Sequence, residues 1–399
     1  MRRKNLAACA ALLALCAALI GCEAEAEPRP TLQATSPPLE LSRAEKLLEG
    51  MTLEEKIGQL FFIRPDSLDF SLTSEQINDP YDYGVTELGG EMASALASYP
   101  AGGFVIFGKN IESAEQTESF MADLAAVSRT PVIFAADEEG GAVARIAGSG
   151  VFDVPRYGSM GEIGASGDSE AAREACFTIG GYLKELGFTL DFAPVADVNT
   201  NPDNPIIGKR AFSGEPEIAA AMVSAAVEGF HEAGIACCLK HYPGHGDTST
   251  DTHDGYASTD KSWDELLSCE LIPFISGIDA GADLVMAAHI SAPSVTGDET
   301  PASLSYELIT ERLRGELGFR GVVATDSLAM GAVTLEYSPA EAAVAALAAG
   351  ADMLLMPEDY REAFEGVLAA VKSGELTESR IDESALRILR LKEEYGLLA

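Results

Sequence analysis

Eight short apolar runs alternate with stretches of helical period, and ionisable residues follow five consecutive runs. Together these observations predict an α/β chain folded as a (β/α)8 TIM barrel. The runs cover residues 59–63, 103–107, 132–136, 189–193, 235–239, 284–288, 322–324 and 353–356. Continuous Val, Ile, Leu, Phe and Ala suit parallel strands covered on both faces. Helical period occupies residues 117–127, 169–186, 215–233, 261–280 and 340–349. Thr52-Leu-Glu-Glu55 fits a capping box that opens an early helix. A doubly wound sheet with a second domain is the alternative arrangement of the same elements.

The residues just past each run carry functional meaning. Asp137 comes after the third, and Asp197 lies just past the fourth with Arg210 further along that loop. Lys240 and His241 come after the fifth, His289 after the sixth and Asp326 after the seventh. A barrel collects all these strand ends on one rim, where its active sites lie. One or two polar ends would mean little, whereas five in succession predict a shared polar pocket. Residues 64–100 form a long excursion between the first two strands, with a helix expected over 86–98. A loop of that length suits a pocket wall or a binding loop.

The chain has 399 residues. It opens with Arg2, Arg3 and Lys4 and an apolar stretch over 5–20, too short for a comfortable membrane span and so read as a secretory signal over 1–21. Leu19-Ile20-Gly21-Cys22 resembles a bacterial lipobox, which implies cleavage before Cys22 and lipid on its sulfur and new amino end. An ordinary signal peptide is the alternative. Residues 22–41, rich in Glu, Ala, Pro, Thr and Ser, read as a flexible tether, and 42–399 as one catalytic domain. No other stretch approaches a transmembrane length.

The formal charge is −36 from 27 basic and 63 acidic residues. Removing 1–21 takes away three basic residues and leaves 24 against 63, a formal −39. A nucleic-acid partner does not fit that charge. Of seven cysteines, Cys176, Cys237, Cys238 and Cys269 stay in the domain. Cys237 and Cys238 are adjacent on a strand and point to opposite faces, so they are not expected to pair. No spacing resembles a zinc site.

The chemistry concentrates in residues 240–253, Lys-His-Tyr-Pro-Gly-His-Gly-Asp-Thr-Ser-Thr-Asp-Thr-His, which hold three of the five histidines. Pro243, Gly244 and Gly246 turn the end of a strand into a loop. In Asp251-Thr-His253, a carboxylate two residues away can orient the ring and tune its basicity. Asp326 at the barrel mouth can be a nucleophile, a base or a hydroxyl acceptor; the alternative is a helix cap. Asp137-Glu-Glu-Gly-Gly141 could hold sugar hydroxyls on its acids. Its glycines are no phosphate loop, because no Gly-Lys-Ser/Thr comes after them. Either Lys240 and His241 clamp a polar substrate, or Lys240 pairs with a neighbouring rim Asp and keeps the pocket folded. His245 reads as loop-shaping, and His231 as a solvated helix end. No Gly-x-Ser-x-Gly elbow is present.

At these motifs the chain resembles family 3 glycoside hydrolases, in the single-domain β-N-acetylglucosaminidase branch, over residues 42–397. The 240–253 segment, Asp137-Glu-Glu-Gly-Gly with Arg145, Asp191-Phe-Ala-Pro-Val-Ala-Asp197, Gly208-Lys-Arg-Ala-Phe212 and Thr325-Asp-Ser-Leu328 carry the likeness. It implies that Asp326 is the nucleophile and His253 the general acid/base, oriented by Asp251. It also implies that Asp137, Arg145, Arg210, Lys240 and His241 bind the sugar ring in the −1 subsite. The family commonly has Gln and Arg where this chain has Glu138 and Ala142. The extra acid and missing base are expected to change the charge near the pocket. A histidine in place of the usual second carboxylate is chemically reasonable because its pKa lies near working pH.

The expected activity is retaining exo-β-N-acetylglucosaminidase action on muropeptides or chitin-type oligosaccharides, with no metal and no cofactor. The protein is expected outside the cytoplasmic membrane, lipid-anchored and monomeric. A phosphorylase using phosphate in the second step, a β-glucosidase, and a glycan-binding lipoprotein without catalysis are the alternatives.

Overall fold

A computed structural model describes residues 41–79, 84–248 and 257–398. Eight parallel strands form the predicted barrel: β1 (Phe61–Ile63), β2 (Gly103–Val105), β3 (Ile133–Ala136), β4 (Leu190–Asp191), β5 (Ala236–Tyr242), β6 (Leu284–Ala287), β7 (Val322–Thr325) and β8 (Leu354–Leu355). From β1 to β7 each pairs with its sequence neighbour, and β1 also pairs with β8. A parallel bridge between Ala324 and Met353 closes the ring. Helices α1 (Gly90–Ser98), α2 (Ala114–Val127), α3 (Ser169–Glu185), α4 (Pro216–Ala233), α5 (Leu271–Asp279), α6 (Glu307–Glu316), α7 (Pro339–Ala349) and α8 (Tyr360–Ser373) cover it. Among the described residues, no helix is long and apolar enough to cross a membrane.

Side-chain alternation along the strands builds two cores. Phe62, Ile133, Leu190, Cys238, Met286 and Val322 fill the lumen, joined at the base by Ile388 and Leu391 of the C-terminal helix Glu378–Glu394. Phe61, Ile63, Phe134, Cys237, Val285 and Val323 face outward onto the helices. Cys237 and Cys238 therefore point to opposite sides, and the four described cysteines are free thiols. Gly103 lies opposite Phe62 because a Cβ there would stand 2.4 Å from the Phe62 ring. Thr52 caps Leu53–Gln59 with the expected reciprocal Glu55 bond.

Two helices differ from expectation. The helical period over 261–280 is broken into Trp263–Leu267 and Leu271–Asp279. Pro273 lacks an N–H and is tolerated only in a first turn, so the helix must restart just before it. The helix expected over 86–98 begins at Gly90, since the Thr86 carbonyl is taken by Gln116 Nε2 at 2.6 Å. The excursion it belongs to is tied to the loop after β2. Buried Asp66 accepts from Val85 N at 2.9 Å and Asn110 Nδ2 at 3.0 Å.

Lys392 of the C-terminal helix is fully buried beneath the barrel. Its ammonium donates to Gln59 Oε1 at 2.6 Å, and Gln59 Nε2 donates to Thr130 Oγ1 at 2.7 Å.

Candidate active site

The C-terminal strand ends converge on a cavity of about 170 Å3. Asp137, Glu139, Arg145, Arg210, Lys240, His241, His245 and Asp326 line it, above an apolar floor that includes Phe192, Met286, Leu355 and Met356. Met356 adopts φ 44, a left-handed backbone rare for a side-chain-bearing residue, in keeping with strain stored at functional sites.

Lys240 is the hub. Its Nζ lies 2.7 Å from Asp137 Oδ1 and 2.6 Å from Glu139 Oε1, with all three side chains largely buried. Arg210 closes the network with two bonds to Glu139, Nε to Oε2 at 2.8 Å and Nη2 to Oε1 at 2.7 Å. Burial alone would raise both carboxyls. The Lys240 ammonium, with Arg145 at Asp137 and Arg210 at Glu139, overcomes that cost and leaves both below the ordinary carboxylate range. Lys240 stays charged for the reciprocal reason: its burial is outweighed by Asp137 and Glu139.

His241 has a defined tautomer. Arg210 Nη2 lies 3.3 Å from His241 Nε2 and can only donate, so Nε2 accepts. Nδ1 then carries the proton and donates to Asp197 Oδ2 at 2.8 Å. Asp197 Oδ1 accepts from the His245 amide at 2.6 Å. Asp197 thus braces both histidines from behind, and burial lowers the pKa of His245. His245 shapes the loop as expected, through Thr248 Oγ1 at 2.6 Å from its Nδ1, and it also lines the pocket.

Asp326 leaves β7 with its amide bonded to Ala287 O at 2.8 Å and its Oδ1 accepting from Ser327 N at 2.7 Å. Its charge reaches His245 across the cavity. His289, the other strand-end histidine, is buried between Ser303 Oγ at 2.7 Å and the Ser327 carbonyl at 2.8 Å, where it supports the loop behind Asp326.

Arg145 lies 3.7 Å from Asp137 and stacks on Phe107, its guanidinium 5.2 Å from the ring centre. Arg64, at the start of the long excursion, covers the same ring at 4.7 Å, and burial pulls its guanidinium down to about 10. The excursion thus reaches the pocket neighbourhood through Arg64, which no sequence pattern singles out. Glu139 is a second site residue without its own sequence signal, although strand alternation could have found it. Asp137 and Glu139 are two apart on an extended segment, so they share a side.

The same alternation corrects the expectation for Glu138. It turns away from the cavity and is fully buried. Its carboxylate accepts from Ile146 N at 2.7 Å, Ala147 N at 2.9 Å and the Tyr182 hydroxyl at 2.7 Å. Its own amide donates to Asp191 Oδ1 at 2.9 Å. The extra acid therefore braces the segment that carries Arg145, and burial raises its pKa. Asp251, His253 and Cys22 lie outside the described residues. Among the described site residues, Asp137, Arg145, Arg210, Lys240, His241 and Asp326 share one cavity.

Comparison with known proteins agrees with this geometry. The glycosyl hydrolase family 3 N-terminal domain matches residues 52–391. A beta-hexosaminidase of Idiomarina loihiensis is 34% identical over 311 residues, covering 78% of this chain and 91% of the relative. Beta-hexosaminidase A of Pseudoalteromonas piscicida is 33% identical over 333 residues, 77% of this chain but only 56% of the relative. The solved family 3 beta-N-acetylglucosaminidase of Paenibacillus sp. superposes with a TM-score of 0.79 at 36% identity, covering 88% of this chain and 64% of that one. The longer relatives carry further residues beyond the region that this barrel matches. The domain match, the identities and the superposed barrel agree: this chain belongs to glycosyl hydrolase family 3.

Proposed function

We propose that the chain is a retaining exo-β-N-acetylglucosaminidase. The observation that carries this reading is the cavity itself. Asp326 stands over an apolar floor beside a ring of fixed donors and acceptors from Asp137, Lys240, Arg210 and His241, suited to the hydroxyls of one terminal sugar. The names of its relatives supply the N-acetylhexosamine.

In this reading the Asp326 carboxylate attacks the anomeric carbon as the bond to the aglycone oxygen breaks, and His253 gives that oxygen its proton. His253 then takes a proton from water, the water oxygen attacks the anomeric carbon, and Asp326 leaves as the free carboxylate. Asp251 orients His253. The Lys240 and Arg210 charges keep Asp137 and Glu139 ionised as hydroxyl acceptors. Wall muropeptides or chitin-type oligosaccharides are the proposed substrates, and lipid on Cys22 would hold the enzyme outside the cytoplasmic membrane.

The test is nitrophenol release from the β-N-acetylglucosaminide and the β-glucoside, with and without phosphate. Asp326→Ala and His253→Ala should each cut N-acetylglucosaminide turnover by about 10² or more. A preference for the glucoside would overturn the substrate assignment, and dependence on phosphate would make the enzyme a phosphorylase. A silent wild type that still binds the sugar would make the protein a glycan-binding lipoprotein.

A further inference from the structure

At the opposite end of the barrel, three metal-ligating side chains meet from three separate elements. His231 lies in the last turn of α4, Cys237 is on the outward face of β5, and Asp283 directly precedes β6. His231 Nε2 is 3.0 Å from Asp283 Oδ2, and Cys237 Sγ is 3.9 Å from His231 Nε2. One ligand atom from each lies within 4.8 Å of the other two. Tetrahedral zinc with bonds of about 2.0–2.3 Å places neighbouring ligand atoms about 3.3–3.6 Å apart. The His231–Asp283 and His231–Cys237 separations each lie a few tenths of an ångström from that spacing, and the third, between Cys237 and Asp283, is no more than 4.8 Å.

The supporting groups are already in place. Tyr395 donates its hydroxyl to Asp283 Oδ1 at 2.9 Å, and the Cys237 amide donates to Asp283 Oδ2 at 2.9 Å. Such outer bonds orient a ligating carboxylate. A thiolate and a carboxylate together balance a divalent charge. Without a cation between them a thiolate there would be repelled by Asp283, so burial together with that carboxylate pushes the Cys237 thiol well up and keeps it protonated.

Access exists as well. The His231 side chain keeps 31% of its surface exposed. A cavity of about 490 Å3 on this face is lined by Asp283 and by Glu394, whose charge acts on His231. Three arginines also line it. Arg387 is paired with Asp352 and Arg390 with Glu45, which leaves Arg320 as the opposing charge among the described residues.

We propose that His231, Cys237 and Asp283 form a zinc site on the N-terminal face of the barrel, completed by water. The site would clip α4 to β5 and β6 and stand apart from the sugar chemistry. Sulfur and imidazole select a borderline transition metal over calcium or magnesium. Binding releases the Cys237 thiol proton to solvent and requires the His231 proton on Nδ1, so that Nε2 can face the metal. Sequence spacing does not announce the site, because strand pairing is what places Asp283 beside Cys237.

Chelator-treated protein would be titrated with cobalt(II) and then zinc. One equivalent of cobalt should produce a near-ultraviolet thiolate charge-transfer band and the visible bands of a tetrahedral ion, both erased by zinc. Zinc should raise Tm, and Cys237→Ser and His231→Gln should each abolish the band and the rise. Nitrophenyl glycoside turnover by His231→Gln should stay within twofold of wild type. Should Cys237→Ser fail to fold, His231→Gln, at a partly exposed position, decides. The proposal is overturned if wild type shows no charge-transfer band at micromolar cobalt. A zinc-dependent Tm rise that survives His231→Gln would overturn it too, since the metal would then bind elsewhere.

Discussion

Arg210 holds Glu139 by two parallel hydrogen bonds, Nε to Oε2 at 2.8 Å and Nη2 to Oε1 at 2.7 Å. Only a planar guanidinium can make this fork and still donate a third time, to His241 Nε2 at 3.3 Å. Arg210→Lys keeps the charge and loses the fork. It should lower kcat/KM by about 10² and stability by about 1–3 kcal/mol, because Glu139 would be left with an unpaired buried oxygen. Steady-state kinetics and thermal unfolding of the purified variant check both numbers. Wild-type kcat/KM in Arg210→Lys would remove the fork from the positioning machinery.

Glu138 reaches the site only through backbone. Glu138→Ala strands two buried amides, Ile146 N and Ala147 N, and the Tyr182 hydroxyl. The expected loss is about 2–4 kcal/mol, with a fall in kcat/KM as Arg145 loses its support. Tyr182→Phe leaves both amide bonds intact and should cost only about 1 kcal/mol with little kinetic change. Equal effects of the two substitutions in a denaturant series would contradict this division.

Lys392 makes stability depend on pH with a definite sign. Burial lowers its pKa from 10.5 to about 7. Between those values the unfolded chain binds the proton and the folded chain does not, so this group makes stability rise with pH across the window. The penalty is complete below pH 7 and absent above 10.5, and it amounts to about 5 kcal/mol across that span. Lys392→Met removes the charge and should flatten the slope of unfolding free energy between about pH 7 and 9. Part of the gain is offset because Gln59 Oε1 loses its donor. An unchanged slope, measured by chemical denaturation at several pH values, would show that Lys392 is already paired or solvated.

Gly246 sits where the loop after β5 crosses the one after β4. A Cβ there would lie 1.9 Å from the Val198 carbonyl oxygen and 2.6 Å from its carbon, both backbone atoms that cannot move aside cheaply. Gly246→Ala must displace the loop that runs on toward Asp251 and His253. A stability loss of about 1–3 kcal/mol is expected. Activity should fall by about tenfold or more, since small displacements of positioned groups are costly. Assays run well below the lowered Tm separate the two effects.

The eight strands, their order and the rim location of Asp137, Arg210, Lys240, His241 and Asp326 were legible in the sequence. Continuous apolar runs between helical periods leave few alternatives to a closed parallel sheet, and a closed sheet puts every strand end on one rim. Local chemistry set the Thr52 capping box, while Pro273 broke a helix that periodicity alone draws as continuous. Tertiary structure decided what those rim groups do to one another. Lys240 answering two carboxylates at once, Arg210 dictating the His241 tautomer, Glu138 turning away from the cavity and Lys392 lying buried beneath the barrel all join residues far apart in the chain. Their energies depend on distances of a few tenths of an ångström and on exclusion of water. Hydrophobic period records which face a residue prefers, whereas charge pairing depends on which partner the closed barrel brings to that face.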